Sequence, residues 1–305
     1  MHYDFVPMPE RKPLRWPGGK RLALTITFNL EYWDLTQDHD GLYTPGGPSL
    51  NDRLMPARIP DYSNYTWREY GHRVGVWRLF DICDKAGIAA SCTVNAMLCR
   101  ERPQIAQAVR DRGWEIVAHN YIQTEALATY YQDPDKEREV IARVLDIIEE
   151  TTGRRPRGWL SSSLRCTPET PEILTEQGLI FHNDFMNDDQ PYLIHTRAGP
   201  LVEIPYSNET GDFSFFLRRS YSGTQVLEML KDNFDVLYEE GAESGRLMSL
   251  GLHPHVSGIP FRAKVIAEFI DYAKGFDGVW WASREDIAEW YLENHESHIG
   301  ANPRV

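Results

Sequence analysis

No apolar run in this chain of 305 residues reaches the roughly 18 residues that a membrane-spanning helix needs, which excludes a helical span. Cysteine is sparse. The four residues Cys83, Cys92, Cys99 and Cys166 include no CxxC pair, so neither a disulfide framework nor a structural zinc knuckle is expected. Reduced thiols point to the cytoplasm. So does the N-terminal MHYDFVPMPERKPLRWPGGKR, which lacks the apolar stretch of a signal peptide. Positive charge is in deficit: 32 Lys and Arg against 45 Asp and Glu leave a net charge of −13. Nucleic acid and an anionic membrane surface are therefore not expected partners. No GxGxxG or GxxxxGK[ST] follows the first apolar run, so no nucleotide cofactor is expected. Internal repeats, low-complexity tracts and Gly/Ser linkers are also missing, and 1–305 reads as a single domain. Its least regular part, about 36–65, is rich in Pro, Gly, Asp and Asn and reads as an inserted loop.

What is present is alternation. Leu22 to Phe28 (LALTITF) has the β-branched apolar character of a buried strand. Val74 to Ala86 carries apolar residues at helical spacing and stops at Gly87. Further strands are expected at Ile88 to Val94, Trp114 to Ala118, Arg157 to Leu160, Leu179 to Asn183, Leu201 to Pro205, Leu247 to Leu252 and Gly278 to Trp281. Helices are expected from Pro103 to Gly113, Glu137 to Glu150, Pro171 to Gln177, Ser222 to Gly241, Ile266 to Ala273 and Arg284 to Asn294. Strands interleaved with helices require parallel crossovers and an α/β fold, either a barrel or a doubly wound open sheet.

Polar residues gather where these strands end. Asn29 and Glu31 follow the first, Asn95 the second, and His119 and Asn120 the third. Trp159, the run Ser161 to Ser163 and Arg165 follow the fourth. Asn183 and Asp184 follow the next, Glu203 lies in the sixth, and His253 and His255 follow LMSLGL. In a (β/α) barrel the C-terminal strand ends share one rim, where catalytic groups sit. Glu31, His119 and His253 are the candidate catalytic residues: a carboxylate or imidazole directly after an apolar strand needs a partner or a task. Asn29, Asn95, Asn120, Gln123, Trp159, Arg165, Glu203 and His255 are candidate substrate contacts. Trp159 reads more readily as packing, and Asp188 and Asp189 of NDDQPY as turn caps. Zinc needs about three protein ligands. Glu31 and His119 are two, but the position four residues after His119 is Gln123, a poor ligand, so no metal or other cofactor is assigned; if one is held, zinc on Glu31 and His119 is the expectation.

The order FNLE, WEIVAHN, RPRGWLSSSLRCTPET, EIPYS and SLGLHPHVSGIPFR resembles the polysaccharide deacetylase family (carbohydrate esterase family 4), and more closely its metal-independent, allantoinase-like branch. The similarity runs from Leu22 to Tyr291. It implies a distorted (β/α) barrel of about seven strands, hydrolysis of a carbon–nitrogen bond in an amide or ureide, and a homo-oligomer (dimer or tetramer). Metal-dependent members place an aspartate base and an aspartate ligand where this chain has Asn29 and Glu31. Their His-x-x-x-His pair corresponds to His119 and Gln123. His253 matches the family's late histidine, the acid toward the leaving group. Gly158-Trp159-Leu160 and Ile122-Gln123 replace the Gly-Trp-Tyr stretch and Arg-Trp pair of the allantoinase-like branch, so the substrate surface differs.

The resulting expectation is a hydrolase of a small amide, cyclic imide or ureide. Glu31 is the base, His119 orients water, His253 protonates the leaving nitrogen, and Arg165 or Asn95 steadies the oxyanion. The alternatives are a metal-dependent deacetylase of an N-acetylated sugar and a repurposed small-molecule-binding homologue.

Overall fold

The computed structural model describes residues 3–34 and 61–298, together with two short antiparallel strands, Leu42–Tyr43 and Met55–Pro56. Most of the expected 36–65 loop lies outside the described residues. Its last part is not a loop: Asp61 caps a helix over Tyr62–Tyr70, accepting from the Asn64 N–H at 3.1 Å. That helix runs through a wider turn at Gly71–Gly75 into Val76–Ala86. Gly71 and Gly75 are contact points: a Cβ on Gly75 would collide with the Pro254 carbonyl.

One nine-stranded sheet organises the chain. Its strands are β1 (Leu22–Leu30), β2 (Ser91–Val94), β3 (Glu115–Ala118), β4 (Gly158–Trp159), β5 (Phe181–His182), β6 (Tyr192–Thr196), β7 (Gly199–Glu203), β8 (Arg246–Leu252) and β9 (Val279–Trp281). The order is β8-β1-β2-β3-β4-β5-β7-β6, with β9 added beside β1. All pairings are parallel except β6–β7, a hairpin the sequence reading did not anticipate. The expected distorted barrel is thus present, and among the described residues no ladder joins β8 to β6, so its distortion is an open, curled sheet.

The alternation of side chains explains the layers. Leu22, Leu24, Ile26, Phe28 and Leu30 of β1 join the core between sheet and helices, with Cys92 and Val94 of β2 and Met248, Leu250 and Leu252 of β8. The intervening positions Ala23, Thr25, Thr27 and Asn29 are also buried but small or polar, and face the inside of the curl. Glu31 continues that parity beyond β1, His119 continues it from Glu115 and Val117, and His253 continues it from Leu247, Ser249 and Gly251. Strand period alone therefore directs all three toward the interior.

Arg284 shows how tightly the sheet curls. Fully buried, it donates from Nη1 to Asn183 Oδ1 (2.6 Å), from Nη2 to Ser249 Oγ (2.5 Å) and from Nε to Thr27 Oγ1 (3.2 Å). One guanidinium thus ties β1 and β8 to the end of β5, which is four strands from β1 in the sheet. Glu115 reaches across to cap the helix Arg284–Asn294, accepting from the N–H groups of Arg284 (2.9 Å) and Glu285 (2.7 Å). Tyr206 also crosses the interior: its Oη accepts from Asn29 Nδ2 at 3.2 Å, in space left by Gly251, where a Cβ would run into that hydroxyl. No helix of the described residues is long and apolar enough to cross a membrane.

Candidate active site

At the C-terminal rim the curl leaves a cavity of about 220 Å³. Of the expected residues, Asn29, Glu31, His119, Gln123, Arg165 and His253 line it. Glu31 Oε1 lies 3.3 Å from His253 Nε2 and 3.6 Å from His119 Nε2, and Glu31 Oε2 accepts from Trp33 Nε1 at 2.9 Å. All three residues of this group are buried.

Each imidazole is oriented from behind. His119 Nδ1 lies 2.5 Å from the Leu160 carbonyl oxygen, which can only accept, so the proton sits on Nδ1. The lone pair of Nε2 then faces the cavity, and among the described residues no group hydrogen-bonds to it. His253 is held by Asp212, whose Oδ1 meets Nδ1 at 2.7 Å and whose Oδ2 accepts from the His253 N–H at 2.6 Å and from Ser257 Oγ at 2.8 Å. Burial alone would make the His253 ring harder to protonate, but Asp212 and Glu31 on its two sides outweigh this and push its pKa up to about 10. Burial would likewise raise the Glu31 carboxyl, yet the facing His253 imidazolium holds it well below the usual carboxylate range. The resting site is therefore a carboxylate facing an imidazolium, with a second imidazole offering a lone pair.

Five expected substrate contacts are absent from the cavity lining. Asn95 spends its amide on the backbone, accepting from the Tyr32 N–H at 2.8 Å and donating to the His119 carbonyl, so it cannot serve an oxyanion. Asn120, at φ 51°, accepts from the Ser162 N–H and donates to the Glu125 carbonyl, shaping the loop after β3. Trp159 is fully buried with Nε1 on Ser161 Oγ at 3.0 Å, the packing role its sequence context suggested. Glu203 points away to His182 Nδ1 at 2.6 Å. His255 stacks behind, edge-on to Trp67 and 5.9 Å between ring centroids from His253. Asp188 pairs with Arg11 and accepts from the Gln190 N–H, as a turn carboxylate should.

Sequence reasoning missed Asp212, Trp33, Phe213 and Arg218. Asp212 sits in an irregular stretch, NETGDFSFF, where no periodicity marks it. Trp33 carries a detectable signal, lying two residues beyond Glu31 on the same alternating face. Phe213 packs on the His253 ring at 3.9 Å between centroids. Arg218 and Arg165 are exposed at the cavity, and among the described residues neither guanidinium has a hydrogen-bonding or ionic partner.

A zinc ion held in the family's manner does not fit this donor set. Three protein ligands are needed. Glu31 and His119 supply two, and the third place falls to Gln123, an amide whose Oε1 already accepts from Ser162 Oγ at 2.8 Å.

An open (β/α) barrel with a carboxylate and two imidazoles converging at its C-terminal rim is the framework of a hydrolase of the polysaccharide deacetylase type. Comparison with known proteins agrees. A solved structure described as a probable polysaccharide deacetylase, from Pseudomonas aeruginosa PAO1, is 32% identical, matches 92% of this chain and 94% of its own, and superposes with a TM-score of 0.82. The structure of Puue allantoinase is 31% identical over 96% of this chain and 95% of its own, with a TM-score of 0.82. The peptidoglycan deacetylase of Helicobacter pylori is 23% identical over 74% of this chain and 86% of its own length. No family model matches. The chain belongs to the polysaccharide deacetylase family.

Proposed function

We propose that this protein hydrolyses a carbon–nitrogen bond, other than a peptide bond, in a small amide, cyclic imide or ureide that carries an anionic group. The observation that carries the reading is Glu31 Oε1 set between His253 Nε2 and His119 Nε2 in a cavity of about 220 Å³. That volume suits a small molecule better than a glycan chain, which needs an open groove. Two arginines at the cavity without an ionic partner among the described residues, in a protein with net charge −13, favour an anionic substrate.

In the reaction, water adds its oxygen to the substrate carbonyl carbon while its proton passes to the free Nε2 of His119. The sequence reading made Glu31 the base. Its depressed pKa makes it a weak proton acceptor, and its task is to remain ionised, stabilising the new imidazolium on His119 as it already does the one on His253. Arg165 faces the oxyanion, and Arg218 the anionic group. The carbon–nitrogen bond then breaks as His253 passes its Nε2 proton to the departing nitrogen. The proton taken up by His119 leaves to solvent, and His253 regains one.

The chain works as one catalytic domain. Homo-oligomerisation, as dimer or tetramer, is the family-based expectation and is tested by the mass of the protein in solution. Four free cysteines suit a reducing compartment such as the cytoplasm. Turnover of a panel of amides, imides, ureides and N-acetyl sugars, followed by mass detection, tests the reading. Hydrolysis of a small anionic ureide or amide, lost in H253Q, is expected. Turnover confined to N-acetylated glycans would favour the deacetylase alternative instead.

A further inference from the structure

A second buried constellation stands behind the wall of the cavity. His182, the last residue of β5, is fully buried, as is Asp184 two residues on; Cys166, one residue beyond Arg165, is half-buried beside them. The Cys166 Sγ, a His182 ring nitrogen and an Asp184 carboxylate oxygen all lie within 4.8 Å of one another. His182 Nε2 and Asp184 Oδ2 approach to 3.1 Å, within ion-pair distance, yet among the described residues neither has a partner in hydrogen-bonding geometry. Two buried polar atoms aimed at one point without a proper bond are costly unless something else completes them.

The surroundings are those of metal ligands. His182 Nδ1 is 2.6 Å from Glu203 Oε2, and Glu203 Oε1 is fixed by the Phe185 N–H at 3.0 Å. Asp184 Oδ1 accepts from the Ser161 N–H at 2.6 Å, which leaves Oδ2 for the cluster. A carboxylate behind the far ring nitrogen is the usual support of a metal-bound histidine, because it sets the tautomer that frees the near nitrogen.

We propose that Cys166 Sγ, His182 Nε2 and Asp184 Oδ2 bind a thiophilic divalent cation, zinc foremost, at a site distinct from the Glu31 cavity. One sulfur, one nitrogen and one carboxylate oxygen form a set suited to zinc, and the half-exposed side at Cys166 supplies both an entry and a fourth position for water. Ligand contacts of about 2.0–2.3 Å around an ion require small movements from the present spacing. Binding releases the thiol proton and leaves His182 neutral, with its Nδ1–H kept on Glu203. The chain Glu203–His182–Cys166 also has the order orienter, base, nucleophile. Against that role, burial and the Asp184 charge push the Cys166 thiol up, the opposite of an activated thiolate.

Cobalt(II) is the probe. The full-length protein, stripped with chelator and titrated with cobalt, is expected to bind one ion per chain with a thiolate-to-cobalt charge-transfer absorption, and zinc is expected to displace it. C166S should abolish that absorption. E203Q should weaken zinc binding by about 10- to 100-fold, and E31Q should leave both unchanged. A folded wild-type protein, checked by circular dichroism, that takes up no cobalt would overturn the site. So would a charge-transfer signal that survives in C166S or disappears in E31Q. Rapid alkylation of Cys166 in the metal-free protein, without cobalt binding, would assign the cluster to thiol chemistry instead. None of these readouts depends on turnover, so the test stands apart from the proposed hydrolysis.

Discussion

Asp212 grips His253 twice, through Nδ1 at 2.7 Å and through the backbone N–H at 2.6 Å, and so fixes both the tautomer and the direction of the ring. With Glu31 Oε1 at 3.3 Å on the opposite nitrogen, the imidazole is suspended between two carboxylates. Replacing Asp212 by Asn removes one of those charges and the strongest acceptor at Nδ1. D212N is expected to lower kcat by about 10²- to 10⁴-fold, the range of a lost acid or base function, with a much smaller change in KM. Steady-state kinetics on the substrate found by the panel measures this, and an unchanged kcat would remove Asp212 and His253 from the proton path.

The alkaline side of the pH profile should report the same group. His253 has a folded-state pKa raised from 6.5 to about 10. Its contribution to stability is complete below the unfolded value and is lost as pH rises through the folded one. Urea unfolding is therefore expected to show stability falling between about pH 7 and pH 10, with a shallower fall in H253Q. Turnover should drop over the upper end of the same range, as the leaving-group proton is lost. A profile that stays flat to pH 10 would contradict the assignment.

Arg165 and Arg218 separate binding from chemistry. If Arg218 meets an anionic substituent, R218M should raise KM by about 10- to 100-fold, the loss of one charge-assisted hydrogen bond, and leave kcat nearly intact. R165M, at the developing oxyanion, should lower kcat instead. Equal and small effects of both substitutions would argue for a neutral substrate.

Arg284 carries structure rather than chemistry. Its guanidinium is fully buried and joins Thr27, Asn183 and Ser249 inside the curl. R284M leaves these polar partners, and nearby Glu115, without their cation. It should destabilise the fold by about 3–5 kcal/mol, as removal of one partner from a buried charged network does. Chemical denaturation measures the loss, and a near-neutral result would mean that the interior is wetter than its packing indicates.

Much of the site was legible because strand periodicity is a local property. Glu31, His119 and His253 each follow an apolar run at a position of inward parity, so a reader of the sequence can place them on one rim once a parallel sheet is inferred. Asp212 was not legible: it enters through a loop with no periodic neighbours, and its partner lies 2.7 Å away in space and far along the chain. Glu203, by contrast, looked like a rim residue from its strand. It turns out to belong to His182, because β5 and β7 are hydrogen-bonded neighbours in register at those two positions. Asn95 failed as a substrate contact for a similar reason, since the backbone of adjacent strand ends consumes its amide.

Apart from the helices Tyr62–Tyr70 and Ala96–Glu101 and the β6–β7 hairpin, what the amino-acid order determined by itself was which segments are strands and helices, that the strands run parallel, and which face of each strand is polar. All three follow from spacing over a few residues. What only the tertiary structure decided was the curl of the sheet and the through-space pairs it creates: Asp212 with His253, Tyr206 with Asn29, and Arg284 with three side chains on distant strands. Those pairs depend on where backbones meet after closure, and on how much room a residue such as Gly251 leaves there. No local pattern along the chain encodes either.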